Sequence, residues 1–493
     1  MKYLERADAL SMGVNPGRLA LLYKEVGKKN VHSMMITRHN KVIAEGWWSP
    51  YKAEYNHIQY SVSKSFVGTA IGIAVTKGLL NINAFVLDIL KNVLPYEPCQ
   101  NMRKLRVRDV LTMSTGHKDE RNMFSSGESW IYSLLSSYVD NPPGKQFRYI
   151  SSSTYILSAI IKELTGKNVF DFLQENLFIP MGFSDSIWWE TSPEGLNTAF
   201  NGLNATAEDI TKLALLYLNK GVWNGKRILS EEWVAQASSV QINNSDNGDN
   251  QKLGYRQGFG TFTDDWKSGY GFLFWHCRPE GVYRGDGIFG QMCIVMPKQD
   301  MTVAIAAGHA EPSEILEIVW EHLLPAIDDT EVSEADSILL KETLQTLSIP
   351  VVSGTKSHPL QQIWSGRSYI MAPTGAGIEK LMLQFNENSS SEISITTAKG
   401  ELKILIGYNE WITSETEYDA DGFSCDNVIF FGQVACCGAW QGDEYIIKLV
   451  YTRTPFIDTL RIRFEDAIVL GKYSHTVKYG RQGYDLLGIQ KTE

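Results

Sequence analysis

Residues 61–80 read SVSKSFVGTAIGIAVTKGLL, and the fold turns on how this stretch is read. A serine and a lysine three residues apart stand at its start. Behind them runs a helical segment with small residues at Gly68, Ala70, Gly72 and Ala74, which let it pack tightly inside a domain. Positions i and i+3 share one helical face, so Lys64 can reach the Ser61 hydroxyl. A serine in the first turn also lies in the positive field of free backbone N–H groups, which favours alkoxide character and helps hold an oxyanion. Burial of the lysine disfavours its charged form. A neutral lysine can then act as the base that activates a serine nucleophile. The bland alternative is a serine that caps a helix beside a surface lysine.

Ser-x-x-Lys is a cheap pattern, and the chain has two others, Ser49/Lys52 and Ser353/Lys356. Pro50 follows the first serine and Gly354 the second, so both sit in loop-like surroundings. Only Ser61 opens a strong helix.

Working outward, PGRLALLYKEVGKK (16–29) reads as a helix, and VHSMMITRHNKVIAEGWW (31–48) as a hairpin turning at His39-Asn40. The chain from about 61 to 240 is mainly helical: LRVRDVLTM, ESWIYSLLSSYV, TYILSAIIKELTG and AEDITKLALLYLNKG all have helical spacing. Thr206 and Asp209 form a capping pair ahead of the last. Strand patterns return in YGFLFWHC, GQMCIVM and MTVAIAAG, and SEILEIVWEHLLPAI (313–327) closes the region as an amphipathic helix. This order predicts a sheet flanked by helices with a mainly helical subdomain. The polar DDTEVSEADS leads into a short helix, so residues 331–349 read as a linker with a helix. SEISITT, LKILIGY, EYIIKLVY and TLRIRFED then alternate like antiparallel strands. The expected organisation is a first domain over 1–330 and an all-β sandwich or barrel over 350–493, with Trp364, Trp411 and Trp440 in its core or at a domain contact.

These motifs, taken in order, resemble the β-lactamase-related serine hydrolases, which include class C β-lactamases, D-alanyl-D-alanine carboxypeptidases, esterases and amidases. SVSK with its helix resembles the nucleophile segment. LRVRDVLTMSTGH, PGKQFRYISSSTYILSAIIKELTG, TAEDITKLALLYLNKGVWNGKRILSEEWV and YRGDGIFGQMCIVMPKQDMTVAI resemble the later segments, so the likeness spans about 30–327. It implies a β-lactamase/transpeptidase-like α/β (α+β) fold with an antiparallel sheet. In some relatives a lipocalin-like barrel follows, and residues 350–493 could form one. It also implies roles. Ser61 would be the nucleophile and Lys64 its activating partner. Tyr149, in Tyr149-Ile150-Ser151, would pass the proton to the leaving group, and Ser151 would hydrogen-bond Lys64 or the substrate amide. Tyr155 is the runner-up tyrosine, disfavoured because it lies inside the helix pattern.

The third motif departs from the family. Many relatives carry Lys-Thr-Gly or His-x-Gly, whereas this chain has Gly285-Asp286-Gly287, with no cation to hold a substrate carboxylate. Arg284 is adjacent, but strand alternation points it the other way. Gly287 fits close approach of backbone to ligand, and Ile288 is the expected second oxyanion N–H beside that of Ser61. The departure makes an esterase or amidase a better expectation than a β-lactamase or penicillin-binding protein. A non-catalytic binding module is the remaining alternative.

Other residues are weaker candidates. His117, His276 and His309 are auxiliary-base candidates, each more often structural. Trp188, Trp189, Asn197 and Asn201 lie in a loop-rich stretch that could shape an acyl pocket or cover the core. The six cysteines (Cys99, Cys277, Cys293, Cys425, Cys436, Cys437) form no metal-spaced cluster and read as reduced thiols. The chemistry calls for no cofactor or metal. With a net charge of −10 and no basic stripe, nucleic acid is not an expected partner. The expected partner is a small-molecule or peptide substrate. No apolar leader or membrane-length run is evident, so a cytoplasmic location and no membrane partner are expected.

Overall fold

His39 and Asn40 both take positive φ, 51° and 64°, which suits a two-residue turn of the twist that joins adjacent strands. This turn links β1 (Val31–Arg38) to β2 (Lys41–Trp47). The computed structural model describes residues 3–93, 97–120, 129–245, 263–329, 332–386, 390–398, 400–415, 432–477 and 483–491. Cys425 lies outside them.

The chain divides into two compact units. The first comprises residues 1–46, 56–307 and 311–346; the second comprises 47–55, 308–310 and 347–493. In the first, β3 (Trp275–His276), β4 (Tyr283–Gly287), β5 (Gln291–Met296) and β6 (Met301–Ala307) complete a six-stranded sheet in the order β2-β1-β6-β5-β4-β3. The β1–β6, β6–β5, β5–β4 and β4–β3 pairs are antiparallel. β1, β5 and β6 are buried along their whole length. Such strands need cover on both faces; β5 and β6 are accordingly almost continuously apolar, whereas β1 also buries His32, Ser33, Thr37 and Arg38. The expected strand over YGFLFWHC shrinks to Trp275–His276. Leu273 takes φ 61°, which ends extended pairing before it can run back further.

Cover comes from α1 (Pro16–Gly27), which packs on α5 (Pro312–Leu323), and from α4 (Ala207–Leu218), which lies along β1, β5 and β6. Each start is chemically specified. Asn15 accepts from Arg18 N ahead of Pro16. Thr206 and Asp209 form the anticipated capping box before α4. The nucleophile-like segment forms a 3-10 turn (Tyr60–Val62) running into α2 (Ser63–Thr76), and α3 (Tyr155–Thr165) packs beside α2 and ends at the left-handed Gly166. The helix at 334–345, α6 (Glu334–Gln345), packs on α1 and belongs to the first unit. No helix among the described residues is long and apolar enough to cross a membrane.

The second unit is a nearly closed antiparallel barrel. Its strands are β7 (Ser368–Met371), β8 (Lys380–Gln384), β9 (Ser391–Thr397), β10 (Gly400–Ile406), β11 (Ile412–Glu415), β12 (Gln433–Gln441), β13 (Glu444–Tyr451), β14 (Ile457–Glu465), β15 (Ile468–His475) and β16 (Tyr484–Gln490). They run in the order β10-β9-β8-β7-β16-β15-β14-β13-β12-β11. The two ends of the sheet meet where Leu405 N donates to Ser414 Oγ at 3.0 Å and Gly438 N donates to the Gly407 carbonyl at 2.9 Å. Along β14, Leu460, Ile462 and Phe464 are buried while Arg461, Arg463 and Glu465 are exposed, the period-2 pattern of a filled barrel. Trp364 stacks on Phe464 (5.0 Å) and Trp440 packs on Phe385 and Tyr445. Trp411 is only half-buried; its indole donates to the Ile349 carbonyl.

Trp440 is almost wholly buried, its indole donating to Gln361 Oε1 at 3.0 Å. Trp440→Ala should therefore cost about 3–5 kcal/mol, read as a lowered denaturant midpoint and earlier protease cleavage within 347–493.

Candidate active site

The first unit brings three of the expected residues, Ser61, Lys64 and Tyr149, onto one wall. Tyr60 adopts φ 44°, a left-handed conformation costly for a bulky residue. That bend turns the chain so that Ser61 sits in the 3-10 turn, partly accessible, just before α2. One helical turn on, Lys64 is 1% exposed. Its Nζ donates to Ser61 Oγ at 2.7 Å and to the Phe200 carbonyl at 2.7 Å. Ser65 Oγ, on the same helix, donates to the Leu273 carbonyl at 2.9 Å and fixes α2 against the loop before β3, while Thr69 donates back to the Ser65 carbonyl within the helix.

Tyr149 shares a hydrogen bond with the Ser61 hydroxyl, and its ring centroid lies 5.0 Å from Lys64 Nζ. The ring is held by Trp275 (5.2 Å) and Tyr270 (6.4 Å). Behind it, Glu120 accepts from the backbone N–H groups of Ser151 and Ser152 and, at 2.8 Å, from Ser152 Oγ. This carboxylate anchors the 3-10 turn Ser151–Thr154. Ser151 is thus recruited through its backbone to Glu120; the Lys64 contacts go to Ser61 and to Phe200.

Strand β4 supplies the other side. A Cβ at Gly285 would stand 2.7 Å from Ser65 Oγ, and one at Gly287 would stand 2.5 Å from the Gln59 carbonyl oxygen. No side chain fits at Gly285 without displacing Ser65, so a lysine there is sterically as well as chemically missing. Gly287 lets the strand end close against the residues before Ser61, and Ile288 follows. Phe289 takes φ 69° and its ring meets Tyr60 edge-on at 5.8 Å. Gln291 Nε2 donates to the Ile288 and Ala307 carbonyls, both at 2.9 Å, which pins this turn to β6.

Arg284 lies on the opposite face of β4 from Gly285, as alternation requires. It is fully buried, with Nε donating to Asp286 at 2.8 Å and Nη1 donating to the Asp265 carbonyl. Its guanidinium is committed to that network. Asp286, the middle residue of the box, is 8% exposed and paired with Arg284.

The electrostatics follow from burial. Desolvation pulls the Lys64 ammonium down to about 7, although Glu120 and Asp286 both pull it up. Burial therefore outweighs two carboxylates, and Lys64 gives up its proton far more readily than an exposed lysine does. Burial also drives the Tyr149 phenol well above its ordinary range, with Asp286 and Glu120 adding to the effect. Tyr149 is a neutral phenol at neutral pH. The assembly can hold a hydroxyl between an amine that takes a proton and a phenol that gives one.

Other candidates fall elsewhere. Tyr155 points to Ser192 and Glu194. His117 bridges Thr115 and Ser137, and burial lowers His276, which donates to the Ser239 carbonyl. His309 belongs to the second unit. Trp189 packs on Phe66, Asn197 accepts from Phe170 N, and Asn201 offers its carbonyl to Trp189. Ser49 and Ser353 lie in the second unit. Glu120 and Phe200 went unmarked in the sequence. Glu120 had only its place just after the Ser-Thr-Gly-His stretch, and Phe200 acts through a carbonyl that every residue has. Among the described residues, no three His, Cys, Asp or Glu side chains converge as a metal site would need.

The β-lactamase family model matches residues 26–323. A 6-aminohexanoate-dimer hydrolase of Paenarthrobacter ureafaciens is 22% identical over 326 residues, covering 62% of this chain and 79% of that protein. Penicillin-binding protein 4 of Amycolatopsis lactamdurans is 22% identical, covering 43% of this chain and 64% of that protein. The crystal structure of a putative β-lactamase from Bacteroides dorei is 14% identical and superposes with a TM-score of 0.50, covering 62% of this chain and 98% of that one; it speaks to the fold alone. With the family model spanning more than half of the sequence, and a hydrolase among its relatives, the chain belongs to the β-lactamase family and is one of its hydrolases.

Proposed function

We propose that the protein is a serine hydrolase that cleaves an ester or amide bond of a small molecule or peptide through an acyl-enzyme on Ser61. The observation that carries this is the 2.7 Å contact from Lys64 Nζ to Ser61 Oγ, made by a lysine held near neutrality by burial. A catalytic base works best with a pKa near the working pH, and burial moves Lys64 down toward neutrality.

In this reading, neutral Lys64 takes the Ser61 proton as Oγ attacks the carbonyl carbon. The carbonyl oxygen becomes an oxyanion held by the N–H groups of Ser61 and Ile288. Tyr149 donates to the leaving oxygen or nitrogen as its bond to carbon breaks, and Lys64 restores the Tyr149 proton. Water then attacks the acyl-enzyme, with the same groups moving its proton, and releases the acid and free Ser61. Substrate contacts from Gly285 and Gly287 would be through backbone, because neither position has room for a side chain.

The closed Gly285 position favours ester or amide substrates over carboxylate-bearing β-lactams. The likeness to a penicillin-binding protein supports the second reading, a site that acylates and turns over slowly. Labelling with a fluorophosphonate, followed by peptide mapping, should give one adduct on Ser61 that Ser61→Ala lacks. An adduct elsewhere, or none, sinks the mechanism. Short-chain nitrophenyl esters should then turn over many times per site; a burst of one equivalent followed by arrest would favour the second reading.

Lys64→Met should lower kcat for these esters by about 10²–10⁴-fold. The acid limb of the wild-type profile should have its midpoint near pH 7, the value to which burial brings Lys64. Below it the rate should fall about tenfold per pH unit, because only the neutral amine accepts a proton. A flat profile from pH 5 to 8 would exclude Lys64 as the base.

A further inference from the structure

The loop-rich stretch around Trp189, Asn197 and Asn201 has no step of its own in the reaction proposed above, yet it carries the Phe200 carbonyl that meets Lys64. Its ends are joined by a short antiparallel pairing, Trp188 with Asn204 and Trp189 with Leu203. Inside that closure the chain bends twice into the left-handed region, at Ala199 (φ 65°) and Gly202 (φ 86°). Alanine does not choose that region by itself, so the contacts around the loop impose the bend.

The peptide unit bearing the Phe200 carbonyl lies between two that are tied down. On its N-terminal side, Phe200 N donates to the Thr198 carbonyl at 2.7 Å, and Thr198 N donates to the Glu190 carbonyl at 3.1 Å. On its C-terminal side, the Asn201 carbonyl accepts twice, from Trp189 Nε1 and from Thr198 Oγ1, both at 2.8 Å. Thr198 is fully buried and Trp189 nearly so, its ring edge-on to Phe66 of α2. Leu203 N donates to Ser63 Oγ at 3.1 Å, which fastens the loop to the first turn of α2, one residue from Lys64. A Cβ on Gly202 would stand 2.6 Å from Thr198 Oγ1, so the glycine lets the threonine close on the turn.

The arrangement fixes the direction of an amine. As an ammonium, Lys64 has three N–H donors and no acceptor; once neutral it has two N–H groups and one lone pair. Around Nζ stand Ser61 Oγ at 2.7 Å, the Phe200 carbonyl oxygen at 2.7 Å and the Tyr149 ring, its centroid 5.0 Å away. A carbonyl and a ring face can only accept. Of these three, only the Ser61 hydroxyl has a proton to give. A carbonyl held firmly in place therefore claims an N–H and leaves the lone pair turned to Ser61.

We infer that Trp189 and Thr198 are positioning residues for the proposed reaction: by holding the Asn201 carbonyl together they fix the neighbouring Phe200 carbonyl, which aims the Lys64 lone pair at the Ser61 hydroxyl. The inference rests on the serine-hydrolase reading above. Glu120 and Asp286 also act on Lys64, at longer range, and the substitutions below leave both in place.

The test is kcat, KM and the pH profile of nitrophenyl ester hydrolysis in Thr198→Val and Trp189→Phe. Active sites are counted by labelling Ser61 to completion with a fluorophosphonate. Each substitution removes one donor to the Asn201 carbonyl, and phenylalanine keeps a ring beside Phe66. Each should lower kcat per labelled site by about tenfold, as the loss of one hydrogen bond can, with KM unchanged. The acid limb should move to lower pH, because a released carbonyl no longer favours the ammonium. Thr198→Ser keeps the donor and should restore both the rate and the limb. If Thr198→Val does not fold, Trp189→Phe carries the same expectation. Fewer labelled sites at an unchanged rate per site, or a slower rate with the limb unmoved or moved to higher pH, would make the pair a structural brace and overturn the inference. Wild-type protein that fails to label at Ser61 would instead overturn the hydrolase reading beneath it.

Discussion

The first unit is organised around one expensive act, the burial of the Lys64 ammonium. A lysine has three donors and no acceptor, and in the interior each needs a partner or a counter-charge. Ser61 Oγ and the Phe200 carbonyl take two donors directly, and the Tyr149 ring offers its π face. The carboxylates of Glu120 and Asp286 contribute at longer range. These partners come from five separate stretches of chain. α2 must be seated deeply enough to bury Lys64, the 198–202 loop must turn a carbonyl inward, and the turn after Tyr149 must be tied down by Glu120. The six-stranded sheet and its helices are the frame that brings those stretches to one point.

Much of this was legible in the sequence, for identifiable reasons. Small residues on α2 announced a buried helix, and Ser61 and Lys64 at i and i+3 followed from helical geometry. The hairpin at His39-Asn40 and the Thr206/Asp209 cap depend on local chemistry and therefore read directly. Alternation in β4 correctly sent Arg284 away from Gly285. What was not legible depends on tertiary contact. The second partner of Lys64 is the backbone carbonyl of Phe200, and a carbonyl has no signature in residue identity. Glu120 could not be told from Asp119 beside it without knowing which carboxylate meets the N–H groups of Ser151 and Ser152. The strand expected over residues 270–277 looked continuous because its residues are strand formers, yet Leu273 turns into the left-handed region and the strand keeps only Trp275 and His276.

The barrel solves a different problem. Alternation along β14 and the other strands was readable, but closure was not, because it depends on where the first and last strands of the sheet meet. Its interior is filled by the packed rings of Trp364, Phe464, Phe385 and Trp440. Toward one end, Asp458 receives Tyr451 Oη at 3.0 Å and pairs with His475 Nδ1 at 2.6 Å, so even the charged residue inside is matched by neighbours.

Tyr60 and Phe289 have a consequence for how such a site can change over time. Each is a bulky residue in a conformation that usually belongs to glycine, at a cost on the order of 1–3 kcal/mol. They are 229 positions apart, yet they lean on one another, one immediately before Ser61 and one immediately after Ile288. Neither ring can shrink without depriving the other of its support, and neither backbone can relax without swinging an adjacent amide. Drift at this spot must be concerted: a lineage that alters one side has to alter the other in step, or accept a looser grip on whatever sits between them. The pair works as a clasp, holding one small volume steady from both sides.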